Sequence, residues 1–184
     1  MEPVELPPMK SDEEIAAIKA SKAKWACTGH KLDYANRAWI QPGQWNTQIM
    51  QAENEKAAAL YASWEKDLQV EQYMVEDAEV VIAAYGVSAR IGKSVVDLCR
   101  TEGKKVGLIR PITVHPFPRA SFENINYDIC KGVLDVEMSI PAQFVEDVRM
   151  GVKGRCPIET CLCSGGNIMS REAVLKAVDG ILAK

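Results

Sequence analysis

The stretch Glu79-Val-Val-Ile-Ala-Ala-Tyr-Gly-Val-Ser-Ala-Arg-Ile-Gly-Lys-Ser94, followed by Lys105-Val-Gly-Leu-Ile-Arg-Pro-Ile-Thr-Val-His-Pro-Phe-Pro118, decides the fold. The apolar run Val80 to Ala84 has the length of a buried strand and stops at Gly86. Ser88 stands where a helix N-cap belongs, and Ile91, Val95 and Leu98 follow at helical spacing. Gly103 closes the helix, and Val106 to Ile109 begin a second buried strand. Strand, helix and strand in this order form a βαβ unit, which requires a sheet that is at least partly parallel and covered on both faces.

Working outward, strands are predicted at 79–85, 105–110, 132–137 and 157–162, and helices at 88–102, 119–125, 141–151 and 170–183. The alternation predicts an α/β fold, a three-layer α/β/α sandwich over residues 76–184. Residues 1–75 read as an extended arm and a long amphipathic helix. Three of the nine prolines fall in the first ten residues, a short helix is predicted from Asp12 to Lys22, and the segment from Trp25 to Gly43 carries no sustained period. Asn46 or Thr47 is placed to cap a helix reaching about Gln72, with Ala57, Tyr61, Trp64 and Leu68 on one face. Trp25, Trp39, Trp45 and Trp64 carry enough aromatic surface that this region is expected to pack on the body or on another subunit.

The 184 residues are 47% hydrophobic and 26% charged, ordinary for a soluble globular chain. A net charge of −3 without a basic block argues against a nucleic-acid partner. No apolar run approaches the roughly 20 residues of a membrane span, and the Pro-rich, acidic start lacks a signal-peptide layout. A cytoplasmic location is the expectation. The six cysteines are scattered, which suggests reduced thiols rather than a disulfide framework.

The phrases Ala84-Tyr-Gly-Val-Ser-Ala-Arg90, Lys105-Val-Gly-Leu-Ile-Arg-Pro-Ile-Thr113 with Pro116-Phe-Pro118, Val136-Glu-Met138 and Phe144-Val-Glu-Asp-Val-Arg149 resemble the C-terminal part of the alpha subunit of the thiamine-dependent 2-oxoacid:ferredoxin oxidoreductases. Met1-Glu-Pro-Val-Glu-Leu-Pro7 resembles an internal stretch of the ketoisovalerate-type alpha subunit. The resemblance implies a transketolase C-terminal-like domain with a mostly parallel sheet, within a complex that decarboxylates a 2-oxoacid, passes electrons to ferredoxin and forms an acyl-CoA. It implies thiamine diphosphate, magnesium and iron–sulfur clusters in the whole complex, none bound by this chain alone. Other subunits are the implied partners, with ferredoxin and coenzyme A serving the complex. The family's front domain, which carries the glutamate that activates thiamine, has no visible counterpart here, so Glu137 does not inherit that role. The expected part is assembly and structural support, without activity in isolation. The alternative is a stand-alone α/β module that binds a small anion.

Candidate contacts follow from position. Gly86, Ser88 and Arg90 sit at the carboxyl end of a strand and the start of a helix, where open α/β sheets bind ligands and free N–H groups suit an anion. The plainer reading is that Gly86 permits the turn and Ser88 only caps. His115 reads as a packed residue of a Pro-rich turn rather than a proton shuttle. Glu137 reads as pairing with a basic group at the sheet edge or with a partner chain. Gly165 and Gly166 read as a turn, or as a point of close backbone approach to a ligand or subunit. Cys156, Cys161 and Cys163 lack a fourth ligand and a C-x2-C spacing, so no metal is assigned. Cys161 and Cys163 are expected to face one side of the last strand.

Overall fold

The structure, a computed structural model, describes residues 5–27, 38 and 45–184. The chain divides into two compact units, residues 1–55 and 56–184. In the first, α1 (Asp12–Ser21) opens with a capping box: the Ser11 hydroxyl accepts from the Glu14 N–H, and the Glu14 carboxylate accepts from the Ser11 N–H. Asn46 caps α2 (Thr47–Ser63), its side-chain oxygen accepting from the N–H groups of Gln48 and Ile49. Trp25 and Trp45 are exposed. Trp39 and His30 lie outside the described residues.

The second unit contains β1 (Val70–Tyr73), β2 (Val80–Ala84), α3 (Gly86–Thr101), β3 (Val106–Pro111), β4 (Gly132–Glu137), α4 (Phe144–Val152), β5 (Ile158–Leu162) and α5 (Arg171–Leu182). The strands form one sheet in the order β1-β3-β2-β4-β5, parallel except for β1. The expected α/β sandwich with a mostly parallel sheet is observed. Alternation along the strands builds two cores. Val80, Ile82, Leu108, Leu134 and Val136 pack under α3 and α5 with Val95, Val178 and Ile181. Val81, Ala83, Ile109 and Val133 pack on the opposite face with Phe122, Val148 and Val152 of the α4 side.

Besides the start of α3, three elements differ from the sequence reading. The long helix does not reach Gln72: it gives way to a 3-10 turn at Trp64–Asp67, and Val70–Tyr73 becomes an edge strand antiparallel to β3. That strand satisfies the free edge of β3, and the Glu71 carboxylate accepts from Lys93 Nζ at 2.5 Å and Arg110 Nη1 at 3.1 Å. The stretch expected as a helix over 119–125 is a 3-10 segment, Arg119–Asn124. The next helix begins at Phe144, three residues beyond Pro141.

Candidate functional site

All four parallel strands end at the same edge of the sheet, so the segments that follow them meet there. These are the Gly86 turn after β2, the Ile112–Pro118 segment after β3, the Met138–Gln143 segment after β4 and the Gly165–Gly166 turn after β5. The fold thus brings the sequence-selected residues to one edge, each in a different setting.

Ser88 is not the N-cap of α3. The helix begins at Gly86 with Tyr85 as its cap, and the Ala89 N–H already donates to the Tyr85 carbonyl. Gly86 has φ +56°, a left-handed conformation that lets the chain turn from strand to helix without spacer residues. Ser88 therefore falls inside the first turn and is buried. No side chain caps the helix. Arg90 is exposed on it. Gly165 and Gly166 also hold positive φ, and a Cβ built at either would meet nothing within 4 Å. Their conformation, not close packing within the described residues, requires glycine.

His115 is exposed and stands edge-on to Trp64 and Tyr61, with ring centroids 6.0 and 6.4 Å away. With Phe117, Arg119 and Asp147 it lines a groove of about 880 Å³. Beside it, Tyr85, Phe144 and Phe117 form a chain of edge-to-face contacts at 5.0 and 5.8 Å.

Glu137 departs most from expectation. It is 1% exposed and meets neither a basic group nor open solvent. Its carboxylate accepts from the Gln143 N–H at 2.8 Å, the Phe144 N–H at 3.1 Å, the Val145 N–H at 3.4 Å and the Ser139 hydroxyl. These amides are the unpaired donors of the first turn of α4, whose N-cap residue Gln143 supplies no side-chain cap. A strand carboxylate thus caps a helix that starts seven residues later, at the end favourable for negative charge. Burial pushes the Glu137 pKa up, but the Ser139 hydroxyl and the amides of Gln143 and Phe144 outweigh it and hold the carboxyl below its ordinary value.

Asp135, two residues earlier on the same side of β4, was not singled out by sequence. It sits in register between Ala83 of β2 and Thr160 of β5 and is fully buried. Neither of its oxygens has a hydrogen-bond partner of regular geometry among the described residues. Burial, reinforced by the nearby Glu137 carboxylate, raises its pKa to about 8. At neutral pH the pair is one neutral acid beside one carboxylate. This pair faces the protein interior, and the polar work of Glu137 is complete within the fold.

Exposed apolar side chains share the surface of this edge with Arg90 and His115. Tyr85, Val87, Ile112, Val114, Met138, Ile140 and Ile168, drawn from all four strand ends, are 40–71% exposed. Cys161 and Cys163 face one side, as expected: both pack against the α3–α5 core, with the Cys161 sulfur 3.6 Å from that of Met169. Among the described residues no three His, Cys, Asp or Glu side chains gather as a metal-binding group.

Comparison with known proteins agrees with this architecture. Residues 78–174 match the family model for pyruvate:ferredoxin oxidoreductase core domain II. The chain is 41% identical over 114 residues to the ketoisovalerate oxidoreductase subunit VorB of Methanothermobacter marburgensis, a match covering 62% of this chain and 32% of that protein. It is 26% identical over 117 residues to the 2-oxoglutarate synthase subunit KorA of the same organism, covering 64% and 31%. The chain thus spans about a third of the length of these curated relatives. Among solved structures, a 2-oxoglutarate:ferredoxin oxidoreductase from Magnetococcus marinus aligns with a TM-score of 0.57 at 20% identity, over 85% of this chain and 28% of that one. A split-gene transketolase aligns at 0.52 with 15% identity, over 62% and 41%. Both share the fold. On the family match over more than half its residues, the chain belongs to the pyruvate:ferredoxin oxidoreductase core domain II family.

Proposed function

We propose that this chain serves as the core domain II part of a subunit of a ketoisovalerate-type 2-oxoacid:ferredoxin oxidoreductase, and that its task there is assembly. In this reading, residues 76–184 form the docking body, residues 1–75 reach neighbouring parts of the complex, and the assembly acts in the cytoplasm. Thiamine diphosphate, magnesium and the iron–sulfur clusters sit on other parts of the complex, which also deal with ferredoxin and coenzyme A. The observation that carries the proposal is the apolar carboxyl edge. Seven apolar side chains from four strand ends are exposed at the edge where open α/β sheets bind ligands, and large exposed apolar surface of this kind marks a protein interface. The α4 N-terminus, which would otherwise offer N–H groups to a phosphate or diphosphate, is filled by Glu137.

The test is co-expression of the tagged chain with the remaining subunits of the oxidoreductase, compared with the variants Ile140→Lys and Ile168→Lys. Both positions are well exposed, at 62% and 71%, so the variants fold. Recovery of the thiamine-binding subunit with the wild type, and its loss with either variant, is the expected result. Equal recovery with both variants would place the interface elsewhere and refute the assignment of the edge.

A further inference from the structure

We propose that Cys130 and Cys156 form an oxidation-sensitive thiol pair that closes to an intramolecular disulfide across the amino-terminal ends of β4 and β5. The parallel register pairs Val133 with Ile158, and the Val133 N–H donates to the Pro157 carbonyl at 2.9 Å. Cys130 and Cys156 stand just upstream of that bond, on adjoining chain segments. Both enter the same buried cluster: Cys130 is 7% exposed, and Cys156 is half-buried against it. The Cys130 thiol donates to the Gly132 carbonyl at 3.5 Å, and interaction between the two neighbouring thiols holds the Cys130 pKa down while pushing the Cys156 pKa up. Cys130 is thereby the better thiolate of the two. The Arg155 guanidinium stacks on the Tyr127 ring at 4.0 Å and places a positive charge beside the pair.

The other cysteines have different surroundings. Cys163 contacts the Asn167 carbonyl, and Cys161 contacts the Met169 sulfur. Cys161 lies in β5 and Cys163 just past its end, about 6.6 Å apart if the chain stays extended, near the outer limit for a disulfide. Cys99 is buried, and Cys27 belongs to the other unit.

The chemistry balances with a peroxide as the two-electron oxidant. The Cys130 thiolate attacks one peroxide oxygen, the O–O bond breaks, and the departing hydroxide takes a proton to leave as water. The Cys156 thiol then attacks the Cys130 sulfenic sulfur, the S–O bond breaks, and a second water leaves as the S–S bond forms. Two thiols are oxidised, and one peroxide is reduced to two waters.

The experiment uses the full chain, reduced, freed of reductant and exposed to a small excess of hydrogen peroxide. Intact mass should show a monomer lighter by two hydrogens, restored by dithiothreitol. Trypsin should release residues 120–131 linked to residues 156–171, and fragmentation should assign the link to Cys156 rather than Cys161 or Cys163. The midpoint of urea unfolding of the oxidised chain should rise. In Cys156→Ser the same treatment should leave a Cys130 sulfenic acid that dimedone traps. Cys130→Ser should show neither the link nor the trapped acid at that position. A monomer disulfide confined to Cys161 and Cys163, or only intermolecular links, would overturn the proposal. So would a wild-type chain in which peroxide oxidises the exposed Cys27 but forms no link between Cys130 and Cys156.

Discussion

Replacing Asp135 by Asn should remove a pH dependence of stability that the wild type carries across the neutral range. In the folded chain, burial first and the Glu137 carboxylate second keep the proton on Asp135 up to about pH 8. In the unfolded chain the same group ionises near the ordinary aspartate value of 3.8. Between those values the native state binds one more proton than the unfolded state, so unfolding free energy falls as pH rises, by about 1.4 kcal/mol per pH unit. From pH 5 to pH 7 the Asp135 contribution therefore drops by roughly 2.7 kcal/mol, and it is fully lost above about pH 8. Asn is a close mimic of the neutral acid: it has the same shape, carries no charge, and can donate from its amide. The variant should match the wild type within about 1 kcal/mol at pH 5 and exceed it by about 2–3 kcal/mol at pH 7. The measurement is urea unfolding followed by far-UV circular dichroism at pH 5, 6 and 7, read as variant minus wild type. Both proteins contain the same two histidines, so their titration cancels. A difference constant with pH to within about 0.5 kcal/mol would show that Asp135 is already ionised in the native state, and the reasoning would fail.

Three further perturbations test neighbouring parts of the argument. Glu137→Gln keeps an acceptor but loses the charge and should cost about 2 kcal/mol, whereas Glu137→Ala leaves the first-turn amides of α4 without their acceptor and should cost about 4; urea midpoints should follow that order, and the wild-type contribution should fade as pH drops through the depressed Glu137 pKa. Gly151→Ala would place a methyl 2.6 Å from the Phe122 ring, so thermal melting should show a loss of about 1–3 kcal/mol from overpacking. Arg90→Ala should change stability by less than about 0.5 kcal/mol, because the side chain is exposed; a larger loss by chemical denaturation would show that Arg90 supports the fold.

How much was legible in the sequence depended on whether the deciding contact was local. The βαβ unit was readable because its signals lie within one another's reach: an apolar run, a glycine at the turn and helical spacing after it. The cap of α2 was readable to within one residue, Asn46 or Thr47, because a cap acts on amides two or three residues ahead, as Asn46 does. The edge strand β1 was not, since Val70-Glu-Gln-Tyr73 follows a helical run without Gly or Pro, and only the free edge of β3 makes it a strand. Ser88 was misplaced because Gly86 begins the helix two residues early through its positive φ.

The acidic pair of β4 shows the same limit at the candidate site. In Val133-Leu-Asp-Val-Glu137 the alternation of apolar and acidic residues is what a strand with one solvent-facing side would show. The sequence contains nothing that marks this strand as central. Once β2 and β5 flank it and α4 covers it, both carboxyls are forced inside. There a carboxylate can be tolerated only with donors around it, and a second one beside it can be tolerated only neutral. Glu137 finds its donors in the helix that the chain forms next, so strand end and helix start fix each other. Asp135, with no donors left for it, keeps its proton. The two acidic groups of β4 are thus consumed in building the fold, and exposed apolar side chains from all four strand ends stand outside it. The docking role proposed for this edge needs that combination: apolar side chains outside to meet another protein surface, and buried carboxyls that tie strand end to helix start.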